Sequence, residues 1–163
     1  MTPRLVVFAG RPGVGKSTLA ARVGAALPAP VLAVDAVDRV LRQHGHRPDV
    51  EAYGVVAALA EAQLRLGLSV VVDAVNPVAA ARAVWPSLAE RTGARLRIVE
   101  VWCADPAEHR RRVEERHAAE PDGHPSWALV STIAYEPYVG RRLVVDSSAP
   151  GDPLPGTLSW IRE

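Results

Sequence analysis

The sequence predicts an α/β fold around a five-stranded parallel sheet, on three observations. Short apolar runs recur at residues 5–9, 31–34, 69–72, 96–102 and 142–145. They are mostly continuous rather than alternating, as strands buried on both faces require. Segments with helical patterning, about 16–27, 51–66, 78–92 and 106–119, separate them, and such alternation argues right-handed parallel crossovers. Between the first run and the first helix lies a glycine-rich loop of defined chemistry.

That loop reads Gly10-Arg11-Pro12-Gly13-Val14-Gly15-Lys16-Ser17-Thr18. Gly10, Gly15, Lys16 and Ser17 satisfy the pattern G-x-x-x-x-G-K-[ST]. Glycines let the backbone wrap a phosphate with its N–H groups pointing inward. The helix that begins near Lys16 aims its positive end at the same anion. Residues 10–18 are therefore expected to bind ATP, with Lys16 on the β- and γ-phosphates and Ser17 on Mg²⁺. Lys16 is the only lysine in a chain with 19 Lys and Arg residues. Arginine meets the need for positive charge elsewhere, and a compact ammonium stands at the phosphate.

Asp35 follows the second apolar run, and Asp73 follows the third. Ligands of parallel α/β sheets sit beyond the carboxyl ends of the strands. Asp35 is thus expected beside the loop, where a carboxylate can take the proton of a substrate hydroxyl; it can equally open a short helix. Asp38, one turn later, could share that face and touch substrate, or be solvated. Asp73 could hold Mg²⁺ through water or cap a turn. Asn76 precedes Pro77 and reads as the cap of the next helix, with substrate contact as the functional alternative.

The run 96–102 leads to Cys103, read as a buried structural thiol. Asp105-Pro106-Ala107-Glu108 signs a helix start with Asp at the cap. Arg110, Arg111, Arg112 and Arg116 lie on that helix, and positions 112 and 116 share a face. They are read either as guanidinium groups that neutralise a transferring phosphoryl, or as a solvated face paired with Glu108, Glu114 and Glu115. Pro121, Gly123 and Pro125 then interrupt the helical pattern, which suits a lid around 110–130. The tail from 150 carries three prolines and is expected to close with a short helix containing Trp160 and Ile161.

Composition narrows the class. The chain is of one-domain length, with hydrophobic content of 48% and 23% charged residues. A net charge of +1 argues against a general nucleic-acid binder, while a local basic site stays open. One cysteine forms no internal disulfide, and no apolar run nears the ~20 residues that span a bilayer. No secretory signal precedes the first strand, so the expected location is cytoplasmic, as a monomer or homodimer. His44 and His46 have no third ligand nearby and read as a solvated loop. His109, His117 and His124 read as surface or lid residues. The four tryptophans read as packing, with Trp127 the one to watch beside Ser126.

Four stretches, GRPGVGKST (10–18), VLAVDAVDRV (31–40), SVVVDAVNP (69–77) and HRRRVEER (109–116), together resemble the small P-loop kinases of the adenylate-kinase-like class. That class includes gluconate kinase, chloramphenicol phosphotransferase, adenylylsulfate kinase, polynucleotide 5′-kinase domains and short AAA-type ATPases of high-GC bacteria. The resemblance implies a P-loop NTPase three-layer sandwich with sheet order 2-3-1-4-5 and a short lid. It places the catalytic base at Asp35, the lid arginines at Arg112 and Arg116, and adenine near Asp146, Ser147 and Ser148. Many members read D-x-x-R at the base. Here Asp38 takes the fourth position and Arg39 comes one later, which argues against a phosphate-bearing acceptor and for a neutral or amine-bearing one. The resulting expectation is an ATP- and Mg²⁺-dependent phosphotransferase acting on a small-molecule hydroxyl. Its rivals are a polynucleotide 5′-kinase and a regulatory ATPase without a small acceptor.

Overall fold

In the computed structural model, residues 2–47 and 50–163 are described. Five strands form one all-parallel sheet: β1 (Arg4–Ala9), β2 (Val31–Ala33), β3 (Val70–Asp73), β4 (Arg95–Trp102) and β5 (Leu143–Asp146). Their order is β2-β3-β1-β4-β5, as the resemblance implies. The central strand β1 pairs with β3 on one side and β4 on the other, with Val7 opposite both Val72 and Ile98.

The helices are α1 (Lys16–Ala26), α2 (Val34–Gln43), α3 (Glu51–Arg65), α4 (Ala79–Arg82), α5 (Val84–Thr92), α6 (Pro106–Ala119), α7 (Trp127–Thr132) and α8 (Leu154–Arg162). Two buried clusters explain the continuous apolar runs. Leu5 and Val7 pack with Val56, Ala60, Trp85 and Leu88 on the α3/α5 side. Val6 and Phe8 pack with Leu19, Val23, Val99 and Ile161 on the α1/α8 side. Successive strand residues point to opposite faces, so a strand covered on both faces must be apolar at every position.

Three elements depart from the sequence reading. Val34, read as the last residue of the second strand, instead opens α2, and Arg42 pairs with Asp38 at 2.6 Å along that helix. The helix expected over 78–92 is two, α4 and α5. Pro86 sits in the first turn of α5, where it has no N–H to return to the carbonyl of Arg82. A short helix with no counterpart in the sequence reading follows the Pro/Gly loop: the Ser126 hydroxyl accepts from Leu129 N and starts α7. The α6 start matches expectation, with Asp105 Oδ1 accepting from Ala107 N at 2.9 Å and Glu108 N at 3.2 Å. Among the described residues no helix is long and apolar enough to cross a membrane.

Candidate active site

The loop 10–15 joins β1 to α1 at the carboxyl end of the central strand. Gly15 stands at the α1 N-cap with φ 94°, a conformation that side chains rarely adopt. At Gly10, a Cβ would lie 2.2 Å from Val101 O, so the loop presses on β4. It is also packed from α6: a Cβ on Gly13 would meet Val113 at 2.3 Å, and His109 Nε2 lies 2.8 Å from Pro12 O. His109 is therefore buried against the loop, not a surface or lid residue as its sequence context suggested. Its ring meets Trp127 edge-on at 5.2 Å, which commits Trp127 to packing.

Lys16 and Asp73 share the floor of a cleft. Lys16 is 5% exposed, and its Nζ lies 3.8 Å from Asp73 Oδ1. That oxygen is buried and accepts no hydrogen bond among the described residues. Ser17 lines the same cleft, whose volume is about 890 Å³. A divalent cation with its waters fits this donor set: a hydroxyl, a buried carboxylate oxygen that accepts no hydrogen bond, and a phosphate loop beside both.

Asp35 lies in the first turn of α2 and opens onto this cleft. It is solvent-facing on one side and crowded by protein on the others. Desolvation raises its pKa above the ordinary carboxylate value, and Asp73 and Asp38 add to the rise. The cations Lys16 and, more weakly, Arg116 oppose it. Asp38 lines the cleft too, but its carboxylate is held by Arg42 at 2.6 and 3.2 Å. Arg39 also lines it, so the one-residue offset from D-x-x-R leaves an arginine on the same helix face. Glu120, Asp122 and His124 line the cleft from the segment after α6, within the stretch expected to form a lid; Glu120 and Asp122 were not singled out in the sequence.

A second cavity, of about 430 Å³, lies on the α1 side of the loop between Gly15, Thr18, Arg112, Val145 and Ser147. Ser147, one of the residues that the resemblance places near adenine, lines it. Arg112 is anchored there, donating to Glu108 Oε1 at 2.7 Å, Ser147 Oγ at 2.9 Å and Ser147 O at 3.2 Å. Arg111 first, then Arg112, holds the Glu108 carboxyl down to about 2. Arg110 and Arg111 pair with Glu114 and Glu108 on the solvated face. The Arg116 side chain forms no hydrogen bond or ion pair among the described residues and borders both cavities. The arginine row is thus divided: two solvated, one anchored beside the second cavity, one turned to the cleft.

Asn76 departs from its assignment. It is 0% exposed, its Nδ2 donates to Phe8 O at 2.9 Å, and its Oδ1 accepts from Trp85 Nε1 at 2.7 Å. Both ends of the amide are used inside the core, and φ is 51°. It neither caps α4, whose N-cap is Val78, nor offers a polar atom to substrate. Cys103 is likewise only half-buried, its thiol donating to Asp105 O at 3.3 Å. Arg82, unremarked in the sequence, is a buried clamp. Its guanidinium donates to the carbonyls of Asn76, Pro77, Glu136 and Pro137 and lies 4.0 Å from the Tyr138 ring centre. Groups of three or more His, Cys, Asp or Glu arranged for a metal are absent among the described residues.

The sheet order, the loop geometry and the cleft define a P-loop NTPase. A family model described as an AAA domain matches residues 5–133, and the chain belongs to that family. A comparison with curated protein sequences gives no match. Among solved structures, the adenylylsulfate (APS) kinase CysC of Mycobacterium tuberculosis, in complex with AMPPNP and APS, is 21% identical over 99% of this chain and 96% of its own, with a TM-score of 0.72.

 A gluconokinase from Sinorhizobium meliloti 1021 is 20% identical over 98% of this chain and 90% of its own, with a TM-score of 0.66. Kti12 of Chaetomium thermophilum, in complex with ADP-AlF3, is 17% identical over 97% and 95%, with a TM-score of 0.72. At these identities the likeness is one of fold, and the fold is that of the small P-loop kinases.

Proposed function

We propose that the protein transfers the γ-phosphate of ATP, in the presence of Mg²⁺, to a hydroxyl of a small molecule. One observation carries this reading: a single cleft contains Lys16, Ser17, Asp73 and Asp35, with room beyond them for an acceptor. A nucleotide switch needs the first three and has no use for an open acceptor space beside a free carboxylate. The kinase names of two fold neighbours support the same reading in general terms.

In this mechanism loop 10–15 and the α1 N-terminus hold the phosphates, and Lys16 follows the charge of the γ-group. The adenine ring lies in the cavity between Thr18, Arg112 and Ser147. Ser17, and Asp73 through water, would hold Mg²⁺, which would supply neutralisation of phosphate charge when bound. Asp35 orients the acceptor hydroxyl and receives its proton late, since phosphoryl transfer leaves the protein mostly positioning and charge work. Arg116 faces the transferring group, while Arg112 fixes the wall from which it projects. The segment 120–133 acts as the lid that excludes water.

The test is an ATP-consumption screen across sugars, nucleosides, aminoglycosides and oligonucleotides, with the product mass read directly. A phosphorylated small molecule supports the reading. A phosphorylated oligonucleotide end turns it into the polynucleotide reading. ATP hydrolysis with no acceptor product in any class overturns it.

A further inference from the structure

Arg4 opens β1 and lies opposite Arg95 of β4, with Arg97 two residues further along that strand. They share the alternation of Val6 and Val99, so all three side chains point to the face that α8 covers. There they meet the last turn of α8. Arg4 donates to Ile161 O at 2.9 Å and to Arg162 O at 3.2 Å, and Arg95 donates to Glu163 O at 2.8 Å. Arg141, just before β5, donates to the Glu163 carboxylate at 3.1 Å. The cluster lies at the end of the sheet remote from the phosphate loop, about 17 Å away along the six residues of β1.

Capping of a helix carboxyl end explains Arg4 and Arg95. It does not account for Arg97. Arg97 is 8% exposed, and its two hydrogen bonds, to Ile161 O and Leu96 O, are long, at 3.4 and 3.5 Å. Its Nη2 makes no hydrogen bond among the described residues and is not one of the atoms sealed from solvent. Burial lowers its pKa from the ordinary arginine value, Arg141, Arg95 and Arg4 lower it further, and Glu163 opposes them. Four guanidinium charges thus face the Glu163 side chain and about half a negative charge at the end of α8. A main-chain carboxylate at Glu163 would still leave an excess of about one and a half positive charges. A buried charge without a counter-ion is costly, and here the missing partner is an anion.

We propose that this arginine cluster is a second anion site, for a doubly charged phosphate group, with Arg97 Nη2 as its inner donor and Arg95 and Arg141 at its rim. Each guanidinium carries five N–H donors, and the bonds above use no more than two of any one. Their planar forks match phosphate oxygens two at a time. Inorganic phosphate and the terminal phosphate of a metabolite present the same dianion to them. The site is independent of the kinase reading, since it shares no residue with the second cavity or the acceptor cleft.

Trp160 is a built-in reporter, because Arg97 Cζ stands 5.4 Å from its ring centre. The probe is inorganic phosphate, titrated through the millimolar range at constant ionic strength into full-length protein with ¹⁵N-labelled tryptophan indoles. The expected result is a saturable shift of the Trp160 indole signal, assigned by its loss in Trp160→Phe. It appears in wild type and equally in Lys16→Met, which removes the phosphate contact of the loop. Arg97→Gln weakens binding by about tenfold or more and Arg141→Gln by about threefold, since each removes a charged donor. The Arg141 side chain is 71% exposed, so its variant keeps the test valid if Arg97→Gln disturbs the core. Phenyl phosphate, titrated likewise, separates the sources: tighter binding than inorganic phosphate indicates a phosphorylated metabolite, weaker binding the free anion. No saturable shift, a shift that chloride reproduces, its loss in Lys16→Met, or unchanged affinity in Arg141→Gln overturns the proposal.

Discussion

Lys16 Nζ and Asp73 Oδ1 face each other at 3.8 Å, beyond hydrogen-bond length, at the floor of a cleft where both are nearly buried. The two charges pair at this distance, and the cleft that they line gives each room for a further participant. Phosphate oxygens suit the lysine, and cation-bound water suits the carboxylate. Lys16→Met is therefore expected to remove most ATP affinity by calorimetry with Mg²⁺. The fold should persist, with a lower melting temperature, because Asp73 keeps a buried charge without its cation. Retained tight binding would contradict the phosphate-cradle role.

Asp35→Asn is expected to lower acceptor-dependent ADP release by about 100-fold or more, within the range of general-base contributions. ATP binding should be unchanged. The melting temperature at neutral pH should be equal or slightly higher. Asp35 has a folded pKa raised above its unfolded value. Its ionisation therefore opposes folding as pH rises through and above that window, and Asn removes the opposition. A large fall in melting temperature would make Asp35 structural instead.

The same shift sets a pH limb. Transfer that needs ionised Asp35 should fall on acidification at a pH above the ordinary carboxylate value. Asp38 is one of the charges that raise the Asp35 pKa. Asp38→Asn should move the acid limb of the kcat/KM profile to lower pH, because a like charge is gone. A limb unmoved, or moved upward, would point to another base.

Replacing Arg112 and Arg116 together with Ala should reduce phosphoryl transfer strongly, by up to ~10³-fold on the scale of arginines that stabilise phosphoryl-transfer charge. Single variants separate the two. Arg112→Ala should also loosen nucleotide binding, since it strips the Ser147 contacts from the wall of the second cavity, where the proposal puts adenine. Arg116→Ala should act on kcat with little change in ATP affinity. Unchanged transfer in the double variant would make both a solvated face.

Asn76→Ala should destabilise the fold by about 2–4 kcal/mol, because it strands Phe8 O and Trp85 Nε1 in the core. For a chain of this size that is a fall of about 2–4 °C for each kcal/mol. A melt equal to wild type would mean the amide is dispensable and reopen a role toward substrate.

The strands were legible because a sheet covered on both faces leaves a simple trace: Leu5 to Phe8 are apolar at every position, whichever layer they face. The loop was legible because its pattern is local. What escaped reading depends on distant partners or on abutting elements. Val34 looks like the end of a strand since β2 and α2 meet with no residue between them. His109 is buried by Pro12, 97 positions away. Arg82 is read by no local pattern, since its partners Pro137 and Glu136 lie 55 and 54 positions on. Asn76 carries a capping signature that is real chemistry elsewhere, and only the approach of Phe8 and Trp85 gives its amide another use.

The Arg82 clamp has a mechanical consequence. By gripping carbonyls on both sides, it rivets the 136–137 stretch to the turn after β3, and Ala79 N adds a bond to Glu136 Oε2 at 2.7 Å. Upstream, α6 is braced on the loop through His109. Whatever swings between those anchors is a strap fastened at both ends. Its stroke is set by the length of chain between α6 and Glu136, and its downstream pivot sits within a few peptide units of Tyr135.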